Sequence, residues 1–120
     1  MEPVMDYSKL TDFEINKRVL AIKSGMKPLN YAHNADNRSA GMVDVNKNYH
    51  WFDFCNDWAS AGPIIQRSAI SLQSPESAGT EEWFAQSWRW NQPSIECYDA
   101  NPRRAAMIVF LKMQEKTDAA

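Results

Sequence analysis

The sequence predicts an α+β fold, a single domain in which a small, mainly antiparallel sheet packs against two to three helices. Three observations carry that expectation. A capped amphipathic segment occupies residues 11–24, two alternating apolar–polar segments follow at 70–73 and 83–90, and a wholly apolar segment lies behind Asn101-Pro102. The 120 residues fit one domain, 1–120, and a chain of this size buries roughly two-thirds of its unfolded surface without staples.

In Thr11-Asp12-Phe13-Glu14 the threonine hydroxyl and the glutamate carboxylate can satisfy each other's free amides, a capping box. Leu10 and Ile15 are placed as its hydrophobic staple, and Ile15, Val19 and Ile22 form one apolar stripe. Lys17, Arg18 and Lys23 meet the negative end of the helix dipole, Gly25 is a left-handed stop and Pro28 prevents resumption. This predicts a helix over 12–24. Residues 29–48 read as a long loop, because the run His33 to Ser39 has no large aliphatic, with short strands near Asn30–Ala32 and Met42–Val45. Asp53 to Ile70 reads as helix, capped by Asp53, Asn56 or Asp57, with Pro63 suited only to a first turn or a kink. Ile70–Gln73 alternates as a strand, Ser74–Thr80 is a turn by composition, and Trp83–Trp90 alternates as the antiparallel neighbour. Asn101 then caps a helix whose first residue is Pro102, and whose segment Ala105–Leu111, apolar on every side, should be its most buried part. Lys112, Gln114, Glu115 and Lys116 return that helix to solvent.

Composition excludes several classes. The net charge of −2, from 13 basic and 15 acidic residues, provides no field for nucleic acid or an anionic membrane. The longest apolar run is Ala105–Leu111, far short of the ~20 residues of a membrane span. The start, Met1-Glu2-Pro3, lacks the basic opening of a secretory signal, so the expected location is the cytoplasm. Two cysteines, Cys55 and Cys97, make no disulfide framework. With His33 and His50 they would complete a four-ligand zinc set on paper, but no Cys-x-x-Cys or His-x-x-x-His pair supports it. A Cys–His nucleophile pair, a glycine-rich phosphate loop and a facing carboxylate pair are equally unsupported, since Glu81-Glu82 would point to opposite faces of a strand. The sequence therefore names no catalytic residue, no metal and no cofactor, and leans away from an enzyme.

Asp6-Tyr7-Ser8-Lys9-Leu10-Thr11-Asp12-Phe13-Glu14-Ile15-Asn16-Lys17-Arg18-Val19 resembles the opening signature of the NinX family, small proteins from the accessory gene region of lambdoid phages and their prophages. Asp53–Ala59 with Gly62–Ile65 is similar to that family's second block, and Asn101–Leu111 to its third. Arg103 departs from the pattern, where an apolar residue is expected. The resemblance implies a phage origin and an accessory role, and it brings no catalytic residue with it.

The most suggestive chemistry lies at Asn101-Pro102-Arg103-Arg104. Two arginines at a helix start are misplaced for the helix dipole, so a carboxylate or a ligand anion should compensate them. Trp88 and Trp90 lie a short loop upstream, with Arg89 between them. Stacking planes beside guanidinium groups are what a nucleotide pocket needs. The expected ligand-binding set is therefore Asn101, Arg103, Arg104, Trp88, Trp90 and Arg89, with Tyr7, Tyr31, Tyr49 and Tyr98 as further walls. The expected function is capture and sequestration of a small anionic, nucleotide-like ligand, a counter to host defence. The alternatives are an adaptor or inhibitor that grips a host protein through tryptophans, and a nucleotide-processing enzyme using His50 or Cys55. Five tryptophans and five phenylalanines also predict a homodimer.

Overall fold

The computed structural model describes residues 5–119, with side chains as far as Glu115. The readings made at Met1–Pro3 and at the Lys116 side chain fall outside that range. A 3-10 turn at Tyr7–Lys9 leads into α1 (Asp12–Ser24). Thr11 caps α1, its hydroxyl oxygen accepting from the Glu14 amide, and Gly25 ends it at φ 71°. Replacing Thr11 with alanine should cost about 1 kcal/mol, read as a lower urea midpoint at constant m-value. The stripe is displaced from the expected one. Ile15, Val19 and Leu20 are buried with Asn16, while Ile22 is 42% exposed.

The stretch 29–48 is only partly loop. β1 (Ala40–Val43) pairs antiparallel with β2 (Tyr49–Phe52), with Gly41 opposite Trp51. No strand forms at Asn30–Ala32, and the one expected at Met42–Val45 lies two residues earlier. The cause is Asp44, whose carboxylate accepts from the amides of Asn46 and Asn48 and turns the chain, leaving Val45 at the tip. The expected helix Asp53–Ile70 is shorter: α2 (Trp58–Arg67) starts at the Asp57 cap and carries Pro63 inside it rather than in its first turn.

β3 (Ile70–Gln73) forms where expected. The following turn contains a short helix, α3 (Pro75–Ala78), capped by Ser74. β4 (Trp83–Ser87) stops three residues before Trp90, because the chain turns through 88–94 into β5 (Ile95–Asp99), which the sequence reading missed. β4 is the central strand, antiparallel to both neighbours, with Ser71–Gln86–Glu96 and Leu72–Ala85–Cys97 in register. α4 (Pro102–Ala119) lies across this sheet, with α1 and α2 against it, so Ala105–Leu111 is buried throughout. β1–β2 is a separate small sheet whose β1 packs on α1. The fold is α+β. No helix among the described residues is long and apolar enough to cross a membrane.

Candidate functional site

Arg104, in the first turn of α4, is held from several sides. Its Nε donates to Asp99 at 3.0 Å, its Nη1 to Asp12 at 2.6 Å, and its Nη2 to the carbonyls of Leu10 and Ser8 at 2.7 and 3.3 Å. Four of the roughly five guanidinium donors are thus engaged within the chain. Burial opposes the charge, but Asp12 and Asp99 outweigh it and raise the arginine's pKa. Asn101 is the α4 cap: its Oδ1 accepts from the Arg103 amide, while its Nδ2 donates to the Cys55 carbonyl and to Asn56 Oδ1. Asn56 donates in turn to Asp12 and Asp53. Asn16, fully buried, accepts from the Cys55 amide and donates to Asp53 and to the Arg38 carbonyl. Arg38 Nε closes on Asp53 at 2.6 Å. A single polar network therefore runs from the start of α4, through the 53–56 turn and α1, to the loop at Arg38.

Beyond Arg38 that loop forms one side of an aromatic cradle. Its backbone is tied to β1, with the Leu29 amide donating to the Gly41 carbonyl and the His33 amide to the Ser39 carbonyl. Asp36 pins the turn by accepting from the amides of Arg38 and Ser39 and from the Ser39 hydroxyl. Burial tends to raise the Asp36 pKa, but these hydrogen bonds overcome it and bring the group from 3.8 to about 2. The carboxylate therefore supports the turn fully above 3.8, and that support is lost as the pH falls through about 2. An NMR titration should place the Asp36 midpoint near 2 rather than near 3.8.

The cradle is a cavity of about 340 Å3 bounded by Tyr31, Ala32, His33, Asn34, Tyr49 and Trp51. Trp51 and Tyr49, two apart on β2, have ring planes 8° apart with centroids 6.2 Å apart. The Trp51 ring lies over Gly41, where a Cβ would come within 2.5 Å of it. Only glycine at 41 lets the indole lie there. His33 meets Trp51 edge-on at 5.0 Å and Tyr31 is tilted 56° to it, so these two stand as walls over the platform. His33 Nδ1 accepts from the Ala35 amide, which leaves the proton of the neutral ring on Nε2. Lost solvation and the Tyr49 hydroxyl raise the Tyr31 pKa, keeping that phenol protonated.

The six residues singled out in the sequence do not gather around one point. Asn101 and Arg104 lie in the network, and the Arg103 guanidinium stacks on Trp58 at 4.8 Å. Trp88 and Trp90, edge-to-face at 6.3 Å, stand with Arg89 in the connection leaving Ser87, whose partner is Ile95. The arginines follow Asp99, at the other end of that strand, roughly 13 Å away at ~3.4 Å per residue. Trp51, Tyr31 and Tyr49 were legible as aromatics, but the sequence reading missed Gly41 and Asn34. The signal for Gly41 is a glycine on one strand facing an aromatic on the next.

The profile of the bacteriophage P22 NinX family matches residues 6–114. The chain belongs to this NinX family. No curated protein matches it. The three segments that carry the NinX resemblance meet in the polar network: Asp12 and Asn16 come from the first, Asp53, Cys55 and Asn56 from the second, and Asn101 and Arg104 from the third. In this NinX chain the cysteines are held as thiols, since burial pushes Cys97 up to about 11 and Cys55 higher still. His50 pairs with Asp44 at 2.8 Å. Among the described residues no three His, Cys, Asp or Glu side chains are grouped to hold a metal.

Proposed function

We propose that this phage accessory protein acts by binding a planar, nucleobase-like ring in the aromatic cradle and holding it without converting it. The observation that carries this reading is the indole of Trp51 lying over Gly41, nearly parallel to Tyr49 and walled by Tyr31 and His33. Aromatic stacking is worth ~1–3 kcal/mol per base, enough for a small-ligand site when ring edges are also read. His33 Nε2, the Asn34 amide and the tyrosine hydroxyls supply donors and acceptors for those edges. The cavity lining includes no arginine or lysine, so ring recognition leads and a phosphate is secondary. That shifts the expected nucleotide-like ligand from the start of α4 to the cradle. Holding such a ligand without turnover amounts to sequestration, a useful act for a phage against a nucleotide-like host signal.

The test is thermal melting with a panel of nucleosides, nucleotides and cyclic dinucleotides. At least one should raise the melting temperature of the natural chain and leave Trp51→Ala unmoved. If no compound in the panel does so, the cradle reading fails. One observation favours a second reading, a grip on a host protein or on a second copy: Trp88 and Trp90 are 63% and 79% exposed on one tip. Under that reading, replacing both with serine abolishes host-protein capture or reduces a dimer to one-chain mass in light scattering.

A further inference from the structure

A different face of the molecule, independent of the cradle, carries a groove of about 520 Å3 between α1, α2 and α4. Exposed Ile22 and Pro63 form its apolar rim, the buried Ile64 and Phe110 lie at its floor, and Lys23 and Arg67 flank it. Ile22 is 42% exposed although it sits on the helix whose other aliphatics are buried, so the core does not account for its presence there. Neither cation has a carboxylate within ion-pair distance among the described residues: Lys23 lies 5.6 Å from the Phe54 ring, and Arg67 is exposed. In a chain of net charge −2, this is a local patch of positive charge around an apolar trough. We propose that the groove docks an amphipathic helix of a partner protein, with apolar anchors spaced i, i+3 or i+4 and acidic residues beside them. Three helices bounding a trough is the shape that receives a fourth, and rim cations that lack a carboxylate partner select a helix with glutamate or aspartate along its edges.

The experiment titrates 15N-labelled protein with two synthetic helical peptides of about 18 residues, about five turns. Both carry the same leucine stripe, one flanked by glutamate and the other by lysine. The expected result is saturable shifts at the amides of Ile22, Ile64 and Phe110, with the glutamate peptide roughly tenfold tighter or better. The Arg67→Glu variant, at an exposed site that leaves the core intact, should weaken that preference or reverse it. Equal binding of both peptides, shifts elsewhere on the surface, or no saturable shift overturns the proposal. So does self-association that shifts the groove amides without peptide, since the occupant would then be a second copy.

Discussion

Replacing Arg104 with glutamine is expected to destabilise the protein by about 3 kcal/mol, at the low end of the ~3–5 kcal/mol seen when one member of a buried ion pair is removed. The low end applies because the Arg104 side chain is 13% exposed and that of Asp12 29%. The loss is still a large share of the ~5–15 kcal/mol that holds a domain together. Without the guanidinium, Asp12 and Asp99 face each other as like charges, and the carbonyls of Leu10 and Ser8 lose a donor. Arg103→Gln is the control. Arg103 stacks on Trp58 at 4.8 Å, an interaction worth ~0.5–1 kcal/mol at a partly exposed site. Urea unfolding separates the two, with a markedly lower midpoint for Arg104→Gln and a small change for Arg103→Gln. Equal, mild effects would mean that the Arg104 contacts do not hold the fold.

Gly41→Ala is expected to cost the protein its ligand while leaving it folded. The added methyl would stand 2.5 Å from the Trp51 ring carbons Cε3 and Cζ3, far inside contact distance. Either the indole swings off the strand or β1 and β2 part locally, and both remove the stacking platform. Overpacking of this kind costs ~1–3 kcal/mol in stability. Binding should fall by roughly tenfold or more, because the displaced ring supplied ~1–3 kcal/mol of stacking. Gly62→Ala makes the contrast: inside α2 a Cβ there meets nothing within 4 Å, so it should raise stability by ~0.5–1 kcal/mol and leave binding unchanged.

The parts of the fold that could be read from the sequence are those fixed by neighbours along the chain. The Thr11–Glu14 box, the Gly25 stop, the β3 alternation and Asn101-Pro102 each act within a turn or two, and their elements begin or end where local chemistry puts them. What escaped depends on distant partners. Asn16 lies outside the apolar stripe expected on α1, and its burial makes sense only once Cys55 and Asp53 are placed beside it. β5 alternates only weakly and is a strand because β4 lies next to it. The need of Arg104 for a counter-charge is legible, and Asp99 meets part of it from five positions away, but its other carboxylate partner, Asp12, is 92 positions away in sequence. The cradle was half visible: its aromatics stand out in composition, but their gathering over Gly41 rests on the β1–β2 register.

The most direct measurement of the cradle's role follows the five indole Nε1–H signals, one for each tryptophan, while adenosine and then other nucleosides are added. Stacking on the platform requires the Trp51 signal to move saturably while those of Trp88 and Trp90 stay in place. Movement of Trp88 and Trp90 without Trp51, or no movement of Trp51 with any nucleoside, would contradict the account.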